Sequence, residues 1–252
     1  MAEEKDAPKV GYLTTEDRDK WTHLRQRLLS ISKRNQESLD AIERAVFSLS
    51  LDDTKPVTRD ETSLACWHGE GNNRFFDKSL QFIVFDNAKA GFNGEHSMMD
   101  ATPTSRLCEY VCESLDKGTV NHGTNSGAPL PEPVRLEFDV NTEILTAIST
   151  AESKFKLLAA KHDLKVVNYE RYGKNLIKKF KLSPDAFAQM AIQLAYFKMY
   201  GKSVPTYESA QTKKYAWGRT ETCRSCTVES VEWVKAMQDS SLSVSLSLVI
   251  KC

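Results

Sequence analysis

His96 is the side chain best suited to move a proton near neutral pH, since imidazole titrates there without any special environment. It lies in Phe92-Asn93-Gly94-Glu95-His96-Ser97, with Asp100 four positions on, so two carboxylates flank the ring in sequence. A histidine positioned in this way is the usual general base. Just upstream, Leu80-Gln81-Phe82-Ile83-Val84-Phe85 is apolar and aromatic-rich, and Asp86-Asn87 and Gly91 bound it. That pattern predicts a buried strand followed by a turn, with the turn delivering His96 just past a sheet edge.

Two further groups carry chemistry. Arg171, Lys174, Lys178, Lys179 and Lys181 cluster before Ser183, and such a cluster either holds phosphate or forms a solvated basic face. Cys223-Arg224-Ser225-Cys226 reads C-x-x-C, and Cys108 with Cys112 would complete a four-thiolate zinc site. Ordinary helical packing also explains the Cys108–Cys112 spacing. His23, His68, His122 and His162 lack comparable surroundings, read as solvent-facing or structural, and form no metal-ligand pattern. Trp217 and Trp233 read as packing residues.

The elements that must position these residues follow from periodicity. Thr14 is expected to begin a helix, with Asp17 three positions on and Trp21, Leu24 and Leu28 on one face. A second helix carries Leu39, Ile42 and Val46 and ends before Asp52, Asp53 and Pro56. Thr102-Pro103 reads as a cap with proline at the first helical position, and Leu107, Tyr110 and Val111 continue the face. Glycine and proline from Asp116 to Pro133 predict a linker.

Beyond the linker, Val134 to Phe138 reads as a short strand, and a helix capped at Asn141 or Thr142 carries Ile144, Ile148, Ala151, Phe155 and Leu158. Leu164 to Tyr169 is a strand candidate. Ser183-Pro184-Asp185 starts a helix bearing Phe187, Met190, Ala191, Leu194 and Phe197, and Gly201 stops it. Alternation of helices and strands predicts an α/β chain with helices on sheet faces. No internal repeat is apparent.

The 252 residues allow one or two domains, and 34 basic against 34 acidic side chains leave no formal net charge. Nothing in that balance favours nucleic acid or an anionic membrane as the main partner. No apolar run approaches the roughly 20 residues that span a bilayer. The opening Met1-Ala2-Glu3-Glu4-Lys5-Asp6 is acidic and polar, which is neither a signal nor a transit peptide. Six cysteines are too few for a disulfide scaffold, so a reducing, intracellular compartment is expected.

Asn73-Arg74-Phe75-Phe76-Asp77-Lys78 leads into the strand ahead of His96. Downstream lie Lys181-Leu182-Ser183-Pro184-Asp185-Ala186-Phe187, Thr206-Tyr207-Glu208-Ser209-Ala210 and Gly218-Arg219-Thr220-Glu221-Thr222. These separated blocks, in this order, resemble the choline/carnitine acyltransferase family from about Val10 to Asp239. His96-Ser97-Met98-Met99-Asp100 looks most like its fungal carnitine acetyltransferases. The resemblance implies an α/β CoA-dependent acyltransferase fold, with sheets flanked by helices and parts of two similar domains. Residues 1–133 would belong to the N-terminal domain with the catalytic histidine. Residues 134–240 would belong to the C-terminal domain with the CoA and carnitine contacts, and 241–252 form an unmatched tail. That tail alternates serine with apolar residues and reads as a truncated or mis-spliced frame, so the chain is expected to be an interior portion of a longer enzyme.

By the same resemblance, the activity is carnitine O-acetyl transfer, reversible between acyl-CoA and the carnitine hydroxyl, with His96 as base and Asp100 ordering the charged groups around it. Ala101 follows Asp100 where the family usually has glycine, and a positive φ there would strain it. Lys174 and Lys178 match the positions that meet the CoA phosphate, Asp185 one lining the CoA groove, and Glu208 one near the cofactor. Tyr207 and Thr220 match residues contacting the carnitine carboxylate, and choline-specific relatives lack the threonine. CoA or acetyl-CoA is then a co-substrate, with no prosthetic group, no nucleic-acid partner and a monomeric full-length relative. The implied compartment is the mitochondrion or peroxisome. The family's Ser-Thr-Ser segment and a carboxylate-holding arginine match nothing here, and losing one oxyanion donor commonly costs roughly a hundredfold to a thousandfold in rate. A catalytically inactive portion that retains part of a CoA-binding surface is the alternative.

Overall fold

A computed structural model describes residues 7–97, 100–121, 123, 127 and 131–241. Compact structure divides between Val166 and Val167. In the first unit a 3-10 helix over Val10–Thr15 leads into α1 (Arg18–Ile31) and α2 (Lys33–Arg44). There follow β1 (Ser48–Asp52), α3 (Arg59–Trp67), β2 (Leu80–Phe85), β3 (Ala90–Gly94), α4 (Ala101–Asp116) and α5 (Thr142–Ala159). The second unit contains α6 (Lys174–Lys179), α7 (Pro184–Tyr200), the hairpin β4 (Tyr207–Gln211) and β5 (Thr220–Arg224), and α8 (Val228–Ala236). The chain is therefore mixed helix and strand with two small sheets.

The core of the first unit forms where Val10, Tyr12 and Leu13 of the 3-10 helix meet Trp21, Leu24 and Leu28 of α1, Leu39 of α2, and Ile144, Ile148 and Ala151 of α5. This packing draws α5 into the first unit, so compaction ends later than the Gly/Pro-rich linker and the 133/134 boundary suggested by the sequence. Phe155 is half-buried and Leu158 exposed, so the α5 stripe belongs to the core only over its first turns. In the second unit Ile177, Ser230 and Val234 are buried, while no residue of α7 is fully buried.

Several local expectations change in the folded chain. Asp17, not Thr14, caps α1: its carboxylate accepts the Asp19 and Lys20 N–H groups, while Thr14 is buried and accepts from Phe76 N–H at 3.0 Å. The second helix ends at Arg44 and leaves Val46 exposed. Ser48–Asp52 then forms β1, parallel to β2 in register Ser50 to Ile83. The turn after β2 lies at Asp86–Lys89, where its bounding residues predict it, with Ala88 at φ +62°, but β3, antiparallel to β2, intervenes between that turn and His96. α4 begins at Ala101, which places Thr102 and Pro103 inside its first turn, where proline's missing N–H has no intrahelical partner to lose.

Val134 to Phe138 and Leu164 to Tyr169 form no strand. Asn35 binds both Leu28 O and Asp139 O at 2.8 Å and accepts Asp139 N–H at 2.8 Å, while Ser38 Oγ donates to Glu137 O. Side chains of α2 thus satisfy backbone groups that a neighbouring strand would otherwise pair. Val166 N–H likewise donates to Asp60 Oδ1 at 2.8 Å. The face of α4 that reads as apolar is open, with Tyr110, Val111 and Leu115 exposed. His122, Met98, Met99 and the tail from Leu242 lie outside the described residues.

Candidate active site

The approach to His96 is built from β2 outward. Gln81, Ile83 and Phe85 point inward from β2. Gln81 accepts Phe75 N–H at 3.1 Å and donates to Asn93 Oδ1 at 3.4 Å. Asn93 Nδ2 then donates to Cys66 O and Trp67 O at 3.0 and 2.7 Å, which ties β3 to the end of α3. Close approach there needs Gly91, because a Cβ would lie 2.0 Å from Cys66 Sγ. Burial pushes the Cys66 thiol pKa up, consistent with a packing role.

One residue beyond β3, Glu95 N–H still donates to Ser79 O at 3.3 Å, so the ladder extends to the residue before His96. His96 itself is exposed, with its Nδ1 3.8 Å from Asp100 Oδ1. Asp100 occupies the N-cap position of α4 but its side chain makes no cap hydrogen bond, and it lies beside the imidazole. Ala101 is helical rather than left-handed, so alanine there carries no backbone strain.

The Asn73–Lys78 block is a scaffold for this approach. Arg74 is buried and grips Asp52 at the end of β1 through two bonds, of 2.9 and 2.8 Å, and also reaches Asn73 Oδ1 and Ala65 O. Burial pushes the Asp52 carboxyl up, but hydrogen bonds from Arg74 and Asn73 together with the Arg74 charge outweigh it and hold the pKa below the usual value. Asp77 accepts from Arg18 at 2.6 Å and Trp21 Nε1 at 2.5 Å. Lys78 is buried and donates to Glu43 O and Ala45 O at the end of α2. Nothing in local periodicity marks these ions as interior; their partners lie far away in sequence.

In the second unit, Lys174 and Lys178 stand one turn apart on α6 and are exposed. The basic cluster is thus partly a helix of its own, and Lys181 adopts φ +60° before α7. Ser183 Oγ accepts Ala186 N–H at 3.3 Å, Pro184 opens α7, and exposed Asp185 sits in its first turn, where a carboxylate suits the helix dipole. Gly201 ends α7 at φ +67°.

The hairpin separates the remaining candidates by face. Tyr207 is opposite Arg224 and Thr220 opposite Gln211, which puts Tyr207 and Thr220 on the same face at opposite ends of the ladder. Glu208, opposite Cys223, lies on the other face. Tyr207 and Thr220 are exposed and Glu208 is half-buried. Gly218 lets the hairpin close just before Thr220, since a Cβ would lie 1.9 Å from Thr212 O. A cleft of about 570 Å³ among α7, residues 201–206, β5 and α8 is lined by Phe197, Val204, Arg224, Cys226 and Lys235, and by none of the residues matched to CoA or carnitine contacts.

Among the described residues, no group of three or more His, Cys, Asp or Glu is placed to hold a metal ion. Cys108 and Cys112 are exposed on α4, and Cys223 is exposed on β5. Trp217, read as a packing residue, is almost fully exposed at 96 %, because it lies in the turn beyond the β4–β5 ladder.

Residues 1–251 match the family model for choline/carnitine O-acyltransferases. The chain belongs to the choline/carnitine acyltransferase family. It is 44 % identical over 241 residues to the mitochondrial carnitine O-acetyltransferase of Saccharomyces cerevisiae, covering 93 % of this chain and 36 % of that protein. To the liver isoform of carnitine O-palmitoyltransferase 1 from Homo sapiens it is 41 % identical, over 94 % of this chain and 32 % of the relative. With the peroxisomal carnitine O-octanoyltransferase of Bos taurus the identity is 35 %, over 96 % of this chain and 40 % of the relative. The chain therefore spans about a third of the length of the curated relatives it matches. No described helix is long and apolar enough to cross a membrane.

Proposed function

We propose that this sequence carries part of a carnitine O-acetyltransferase, which moves a short acyl group reversibly between CoA and the carnitine hydroxyl within a CoA-dependent acyltransferase fold. The observation that supports it most is the location of His96, just past β3 and 3.8 Å from Asp100, in a chain of this family. With Nδ1 facing the carboxylate, Nε2 takes the hydroxyl proton as the oxygen attacks the thioester carbonyl. Collapse of the tetrahedral intermediate expels the thiolate, which receives that proton from the imidazolium. In reverse, the imidazolium protonates the departing alkoxide.

Lys174 and Lys178 are assigned to the CoA phosphate, Asp185 and Glu208 to the cofactor's surroundings, and Tyr207 and Thr220 to the carnitine carboxylate. Residues up to Val166, the unit that carries His96, would supply part of the histidine-bearing domain, and those from Val167 part of the domain that binds CoA and carnitine. The proposed compartment is the mitochondrion or peroxisome, a reading supported by one mitochondrial and one peroxisomal relative.

A second reading, an inactive portion that still binds CoA, is favoured by the coverage of about a third of each relative. Carnitine-dependent CoA release by the purified chain separates the two. Turnover that falls at least roughly a hundredfold in His96→Ala supports the first reading. CoA binding without any turnover supports the second, and parental turnover in His96→Ala contradicts the assignment of the base.

A further inference from the structure

The residue before His96 makes bonds that general-base chemistry alone does not require. Glu95 N–H donates to Ser79 O at 3.3 Å, which anchors the backbone on the N-terminal side of His96 to the sheet. On the C-terminal side, Ser97 N–H donates to both carboxylate oxygens of Glu95 at 3.0 Å, and Ser97 Oγ donates to Oε1. One half-buried carboxylate thereby closes a two-residue loop around His96 and joins it to the last rung of the β2–β3 ladder. Bonds to an ionised acceptor are the stronger class, so this loop resists rotation more than a turn held by neutral groups.

We infer that Glu95 is a positioning residue for His96: its carboxylate, bridged to Ser97, holds the backbone in the form that keeps the imidazole next to Asp100. This rests on the reading of His96 as the base, but its test needs no turnover. In the full chain labelled with ¹⁵N, the Ser97 amide is expected to be protected from solvent exchange, and Asp100→Asn to displace the His96 ring nitrogen resonances. Glu95→Ala should speed Ser97 exchange roughly tenfold or more and abolish the response of His96 to Asp100→Asn. Glu95→Gln, whose amide oxygen still accepts, should retain that response.

The Ile83 and Phe85 amides of β2 should be unchanged in both variants. An undiminished response in Glu95→Ala would overturn the inference. So would equal loss in Glu95→Gln, or faster exchange at Ile83 and Phe85, which would mean that Glu95 merely supports the sheet. Failure of His96→Ala to slow turnover would instead remove the base assignment, while the Ser97 exchange and His96 resonance results in the Glu95 variants would stand.

Discussion

Residues up to Val166 take charged side chains inside and pair them, whereas from Val167 onward the charged candidates stand on exposed helices and strands. Arg74, Lys78 and Glu16 are buried in the first unit, and each has partners: Asp52, the α2 carbonyls, and Lys20 with Lys154, respectively. In the second unit Lys174, Lys178 and Asp185 are exposed, and the buried residues are few. A family motif can thus mean two different things. Asn73–Lys78 is a scaffold that fixes the strand ahead of His96, while Lys174, Lys178 and Thr220 leave their side chains exposed.

The comparison breaks most readily at the buried pair. Removing one partner of such a pair strands the other charge, which typically costs about 3–5 kcal/mol. Asp52→Ala should therefore destabilise the first unit by about that amount, read from hydrogen exchange of the β2 amides. A loss below about 1 kcal/mol, the range of an exposed pair, would mean that Arg74 is not an interior ion. The pH dependence has a definite sign. Because the Asp52 pKa is depressed in the fold, its contribution is present above the ordinary aspartate value near 3.9 and is lost as pH falls through the lower folded value. The gap between parent and Asp52→Ala should narrow on acidification, and a gap that widens would contradict the pairing.

A smaller effect is expected at the exposed hairpin. Thr220→Val in a form extended to the relatives' full length should raise the KM for carnitine roughly tenfold, the value of one bond to a charged group, with stability nearly unchanged. Competition assays in which choline is acetylated as well as carnitine would refute the substrate assignment.

What was legible in the sequence follows the same division. Asn141 and Ser183 caps, the Gly201 stop and the limits of β2 were readable because residues within a few positions dictate them. β1 and β3 are not, since their ladders depend on partners elsewhere, and Ser-Leu-Ser-Leu-Asp reads as the end of a helix pattern. Val134 to Phe138 has strand-like composition, but Ser38 takes the Glu137 carbonyl and Asn35 pairs with Asp139 just beyond it, side-chain bonds in place of a strand's. His96 stood out by its type and neighbours. The interior role of Arg74 and Lys78 did not, because charge predicts exposure until a buried partner is seen.

The central claim is that proton transfer and cofactor binding are carried by different residues, in separately built units. Titration calorimetry of CoA and of its form lacking the 3′-phosphate tests it most directly, on the parent, His96→Ala, Lys174→Ala and Lys178→Ala. The account predicts parental CoA affinity in His96→Ala, CoA weakened roughly tenfold in each lysine variant, and little change among them for the dephosphorylated form. Equal weakening of both cofactors by the lysine changes, or loss of CoA binding in His96→Ala, would contradict it.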